Sequence, residues 1–175
     1  MPKPLIIDLP YPNIDDVGVD KKSASIISPS FSGGHGELNA TLQYVYHHFN
    51  FNEQKDEESA EILMGIAVAE MKHLEMLGEL LAKLGADPIY TRFPPYKNDF
   101  YTAATVSYSK TPRKMILDDV LAEMLAIKDY SKMLVELENE KVCAVIRRIM
   151  LDEELHLKVL KDRFVKISGD NSLFY

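Results

Sequence analysis

A glutamate and a Glu-x-x-His step occur twice in this chain at matched spacing, and no other feature restricts its fold so strongly. Glu37 is followed seven residues later by Tyr44, and Glu70 three residues later by His73. The second half repeats the pattern with Glu123 and Tyr130, then Glu153 and His156. Residues three or seven apart share one helix face, so each glutamate points the same way as its histidine or tyrosine. The neighbours are apolar: Ala40 and Leu42 near Glu37, Ile66 and Ala69 before Glu70, Leu121 and Ala122 before Glu123, Ile149 and Met150 before Glu153. Four carboxylates turned into one core must bind cations or be protonated, because burying them bare carries a large desolvation and repulsion cost. A glutamate from each of two helices plus a Glu-x-x-His step from each of two others is the set with which helical bundles hold paired metals.

The rest of the chain is organised around those four helices. Residues 1–28 are rich in Pro, Asp and Ser without a sustained period, which predicts an extended N-terminal arm. A first helix is expected from about Ser30 to Asn50, although Gly33, Gly34 and Gly36 near its start each cost about 1 kcal/mol relative to Ala. The second runs from Asn52 or Asp56 to Leu84, where Gly85 stops it. Residues 86–110 carry Pro88, Pro94, Pro95, Tyr90, Tyr96, Tyr101 and Tyr108 with no helical period, and read as a long ordered crossover. Thr111 and Pro112 open a third helix that reaches Leu137, and the fourth spans about Lys141 to Ile167. The expected fold is therefore all-α: an antiparallel four-helix bundle over 29–168 with one long crossover between helices two and three, and a short tail at 169–175. A chain of 175 residues suits one such domain.

Composition narrows the partners. With 20 Lys+Arg against 27 Asp+Glu, the net charge of −7 disfavours nucleic acid and anionic lipid. Cys143 is the single cysteine, which leaves out disulfides and thiolate metal sites, and no apolar run is long enough for a membrane span; a cytoplasmic protein is expected. The predicted metal ligands are Glu37, Glu70, His73, Glu123, Glu153 and His156. Imidazole with several carboxylates suits two iron or two manganese ions, whose four positive charges match four carboxylates, with zinc a third option on affinity order. Tyr44 and Tyr130 are placed to hydrogen-bond the carboxylates and orient them. Glu75, Asp152 and Glu154 read as flanking residues, solvated or in outer contact with the site. His47 and His48 read as helix-end residues, with His48 a weaker outer candidate, and His35 points elsewhere.

At this point the pattern resembles the ferritin-like di-metal carboxylate superfamily, which includes bacterioferritin, rubrerythrin and manganese catalase. The likeness covers roughly Phe31 to Lys166. The segments Gly33-Gly34-His35-Gly36-Glu37-Leu38 and Glu70-Met71-Lys72-His73-Leu74-Glu75 are similar to the first two helices of manganese catalases and related spore-coat proteins. Leu151-Asp152-Glu153-Glu154-Leu155-His156 is closer to stand-alone rubrerythrin-like proteins. The chain departs from rubrerythrin in having Ala126 where a further glutamate is expected, and in lacking a paired-cysteine tail, so any electron donor would be a separate protein. The resemblance implies a di-metal oxidoreductase acting on hydrogen peroxide, or on dioxygen, as a homo-oligomer such as a dimer or small ring. The alternatives are a ferroxidase-type iron-binding protein and a coat-type structural bundle that retains the site.

Overall fold

A computed structural model describes residues 3–92, 98–170, 172 and 174. Five α-helices follow an extended arm: α1 Lys21–Ser32, α2 Glu37–Glu53, α3 Glu57–Lys83, α4 Pro112–Glu136 and α5 Glu140–Ser168. Helices α2 to α5 form the expected antiparallel bundle, with α2 packed along α3 and α4 along α5. Among its described residues the crossover carries a 3-10 turn at Ala103–Thr105 and an isolated pairing of Thr91 with Phe100. No helix among the described residues is long and apolar enough to cross a membrane.

Two features differ from the sequence expectation. The arm is not extended over its whole length, because residues 21–32 fold as α1. Asp20 caps that helix by accepting the Ser23 amide at 3.0 Å, and Ala24, Ile27 and Phe31 recur at helical spacing to bury its inner face. Pro29 sits inside α1, where it masks the helical pattern. The glycine cluster lies between α1 and α2 rather than inside one helix. A Cβ on Gly36 would stand 2.5 Å from the Ser30 carbonyl oxygen, so the chain turns this tightly only with glycine there. Met1 and Pro2 of the arm, Pro94, Pro95 and Tyr96 of the crossover, and Asn171, Leu173 and Tyr175 of the tail lie outside the described residues.

The remaining helix ends follow local chemistry. Pro112 occupies the first turn of α4, although the Thr111 side chain makes no cap hydrogen bond. Asn139 caps α5, and Gly85 and Gly169 adopt left-handed φ values of 83° and 67° after α3 and α5. At the start of α3 the Asp56 carboxylate accepts the Ser59 amide and both oxygens meet Arg163 of α5 at 2.6 and 2.7 Å. Burial opposes ionisation of Asp56, but Ser59 and Arg163 outweigh it and hold its carboxyl below the ordinary range. That contribution is present above the unfolded value near 3.9 and is lost as pH falls through the lower folded value. Asp56→Ala should therefore cost about 1–2 kcal/mol at neutral pH, with the difference from wild type shrinking in urea melts run below about pH 4.

The interior divides into two apolar clusters with a polar gap between them. One joins Leu77, Leu80, Tyr130, Val142, Ile146 and Ile149; the other joins Leu63, Ile66, Ile116, Val120, Leu160 and Phe164. Along α3, α4 and α5 the gap falls at residues 70–73, 123 and 153–156, so the packing of both ends positions the predicted ligands at mid-bundle.

Candidate metal centre

All six predicted ligands converge in that gap and are buried. They fall into two groups of four whose ligand atoms lie within 4.8 Å of one another: Glu37, Glu70, His73 and Glu153, and Glu70, Glu123, Glu153 and His156. Glu70 and Glu153 belong to both groups, so each has one carboxylate to share between two positions, while Glu37 and Glu123 close the ends. His73 Nδ1 stands 3.3 Å from Glu70, 3.0 Å from Glu153 and 3.8 Å from Glu37. His156 Nδ1 mirrors it at 3.0 Å from Glu70, 3.6 Å from Glu123 and 3.7 Å from Glu153.

The tyrosines cross over between the halves. The Tyr44 hydroxyl of α2 donates to Glu123 of α4, and the Tyr130 hydroxyl of α4 donates to Glu37 of α2. Burial raises Glu37 well above the ordinary carboxyl range, with Glu70 and Glu153 adding repulsion; burial and Glu153 do the same to Glu123. Burial also opposes ionisation of Glu70 and Glu153, but their polar neighbours, above all Glu37 and His156 respectively, hold both low. The histidines are raised: burial works against their charge, and the surrounding carboxylates, led by Asp152 for His73 and Glu123 for His156, overcome it. The shifts favour the neutral form of the two end carboxyls and the ionised form of the two shared ones.

Each imidazole is anchored on its outer side. His156 Nε2 lies 2.8 Å from the Leu5 carbonyl oxygen, which can only accept, so Nε2 carries a hydrogen. His73 Nε2 lies 3.1 Å from Asp152 Oδ2, whose carboxylate also accepts the Tyr11 hydroxyl at 2.6 Å and the Ile7 amide at 2.7 Å and meets Arg148 at 2.8 Å. Nδ1 of each ring is then the one nitrogen left to face the carboxylates, carrying either a second proton or a lone pair. Outer hydrogen bonds of this kind fix the ring orientation in metal-binding histidines.

The donor set could hold a metal. Glu70 Oε1, Glu123 Oε2, Glu153 Oε1 and His156 Nδ1 are buried with no hydrogen-bond partner among the described residues. His156 Nδ1 and Glu70 Oε1 approach to 3.0 Å without the alignment of a hydrogen bond. Buried polar atoms are seldom left this way, and here four of them point at one gap rich in oxygen donors. A cavity of about 860 Å³ leads to it, bounded by α2, α4 and the end of α1, with Ala40, Leu121, Ala122, Ala126 and Met133 in its walls and Glu37, Glu70, Glu123 and Glu153 at its floor.

Several residues carry more of this region than their sequence signals suggest. Asp152 is wholly buried against His73, whereas Glu75 and Glu154 are exposed as expected. His47 is no helix-end residue: α2 continues to Glu53, and His47 is fully buried with Nδ1 2.8 Å from Asp119, which also accepts Gln43 at 2.9 Å. Both lie one turn from site residues, His47 from Tyr44 and Asp119 from Glu123, and that spacing was the available clue. His48 contacts the Ala60 carbonyl and Asn52 and takes no part, and His35 is exposed at the cavity mouth.

No curated protein matches the sequence. Two crystal structures of KatB, a manganese catalase from Anabaena, superpose with a TM-score of 0.81 at 18% identity, covering 97% of this chain and 82% of the catalase chain. At that identity the likeness establishes the shared fold. The ferritin-like domain family matches residues 35–169, a span that contains all six clustered residues and both tyrosines, and the chain belongs to that family.

Proposed function

We propose that the chain is a di-metal oxidoreductase that holds two manganese or two iron ions and turns over hydrogen peroxide. The observation that carries the reading is the pair of four-residue groups with Glu70 and Glu153 in common, because two separate mononuclear sites would have no use for shared carboxylates. Glu37, Glu70, His73 and Glu153 would hold one ion, and Glu70, Glu123, Glu153 and His156 the other. Two ions held in this way supply two-electron redox chemistry and a Lewis-acidic docking point for peroxide. Tyr130 and Tyr44 hold the end carboxylates in place. Glu123 Oε2, buried, without a donor and at the cavity floor, is the oxygen available to take up and return a proton. The mostly apolar walls limit bulk water around the floor while leaving a route for a small substrate. The manganese catalase fold supports the reading without choosing the metal.

Where iron is the native metal, turnover would draw electrons from a separate donor protein, since Cys143 is the single cysteine and cannot form a thiolate electron-transfer centre here. The test is metal analysis of protein from its own host together with peroxide decay on the same sample, with and without a reductant. About two manganese per chain with decay far faster than free ions is the expected result for the catalase form, and two iron with reductant-dependent decay for the peroxidase form. Iron oxidation by dioxygen without peroxide turnover would replace the reading with a ferroxidase, and a chain that binds no redox metal would leave a structural bundle.

A further inference from the structure

The N-terminal arm touches the centre at two points that share one logic. Its Leu5 carbonyl is the outer partner of His156 at 2.8 Å. Two residues on, the Ile7 amide caps Asp152, the outer partner of His73, and the Tyr11 hydroxyl caps the same carboxylate from further along the arm. The arm is in turn held from below. Arg148 donates to the Ile7 carbonyl at 2.8 Å and the Leu9 carbonyl at 2.9 Å and lies 4.3 Å from the Tyr11 ring centre. The Leu5 amide donates to the Gly65 carbonyl at 2.9 Å, and a Cβ at Gly65 would meet the arm backbone at Lys3 at 3.4 Å. Residues 3–11 thus form a strap across α3 and α5, and the strap supplies the carbonyl that keeps a hydrogen on His156 Nε2.

Resting on the reading of these six residues as a metal centre, we propose that the strap is a working part of that centre, with Leu5, Ile7 and Tyr11 as positioning residues whose docking and metal binding reinforce each other. Metal requires each Nδ1 to present a lone pair, which leaves the ring hydrogen on Nε2. A docked strap accepts that hydrogen at His156 directly and secures its acceptor at His73. Of the two neutral ring tautomers the strap therefore favours the one that leaves Nδ1 its lone pair, and coupling between two binding events of this kind is reciprocal. An ion would tighten the strap, and a loosened strap would loosen the ion.

The experiment combines Mn(II) titration calorimetry with amide hydrogen exchange on the full chain. Mn(II) should slow exchange of the Leu5 and Ile7 amides at least several-fold. Leu5→Pro, which removes the donor to Gly65 and pulls on the strap, should weaken Mn(II) binding by about tenfold or more, while Leu5→Val, which keeps the backbone donor and acceptor, should bind as wild type. Tyr11→Phe retains the ring against Arg148 and removes only the hydroxyl at Asp152, so it tests the same coupling if Leu5→Pro fails to fold; it should weaken one of two binding steps by about tenfold. Wild-type affinity in both variants, or strap amides that do not respond to Mn(II), would overturn the proposal alone. A wild-type chain that takes up no metal would overturn the functional reading with it.

Discussion

Glu70→Gln is expected to abolish metal binding at both positions and to lower the melting temperature of the metal-free protein, whereas Glu37→Gln should impair one position and leave the metal-free protein nearly as stable as wild type. The difference follows from the charge distribution in the buried cluster. Burial and Glu70 push the Glu37 carboxyl upward, towards its neutral form, so a neutral amide of the same shape is a close stand-in for it in the metal-free protein. The Glu70 carboxyl is pushed well below the ordinary range and faces both histidines, whose rings are pushed up, so the same change removes a favoured anion from beside two rings whose cationic form is favoured. Removing one member of a buried ion pair costs on the order of 3 kcal/mol or more, and in a chain of this size that is roughly 6–12 °C in melting temperature. For Glu37→Gln the shift should stay within about 1 kcal/mol, the usual range for a shape-conserving change that leaves no buried charge unpaired. Calorimetric melting of stripped protein, followed by metal analysis after reloading, separates the cases. Equal losses of stability in the two variants would mean the protons are distributed otherwise.

Arg148→Met should be among the most destabilising single substitutions away from the six clustered residues, at about 3–5 kcal/mol in urea unfolding. Arg148 is 5% exposed and Asp152 is fully buried, so the substitution takes the guanidinium from a buried carboxylate while removing the donors to Ile7 and Leu9. The pH dependence should change as well. Burial opposes ionisation of Asp152, but His73, Tyr11, Arg148 and the Ile7 amide hold it far below the ordinary range. A depressed carboxyl stabilises the fold above its unfolded value near 3.9 and loses that contribution as the solution is acidified. Wild type should therefore lose stability steeply below about pH 4, and the variant less steeply. A loss under about 1 kcal/mol with an unchanged acid limb would show that Arg148 contributes little beyond its stem packing.

The six clustered residues were legible from sequence because helix periodicity converts spacing into direction, and a doubled Glu-x-x-His pattern has few bland explanations. The four bundle helices were legible for the same reason, with caps at Asp56 and Asn139 and stops at Gly85 and Gly169 marking their ends. Helix α1 was hidden by Pro29, and Gly33 to Gly36 looked like an unfavourable helix start when they form the turn between two helices. Asp152, Arg148 and Tyr11 were obscure for a different reason. Apart from the Arg148–Asp152 pair one turn apart, their partners lie 79 to 145 residues away and include backbone atoms, which leave no mark on any periodic pattern. His47 and Asp119 share that difficulty, since a His-Asp pair across two helices reads as two separate surface residues until the helices meet.

The exchange of tyrosine hydroxyls between α2 and α4 bears on how a bundle like this can arise at all. A lone helical hairpin carrying one Glu, one Tyr and one Glu-x-x-His step cannot satisfy itself, because its tyrosine reaches the opposite hairpin's glutamate and not its own. Two copies meeting about a twofold axis would satisfy every such contact reciprocally, as any isologous pair does. The present chain carries that self-complementary arrangement inside a single polypeptide, with the crossover from α3 to α4 as the tether between the two halves. The unlike outer partners of His73 and His156 are where the symmetry of the halves is broken.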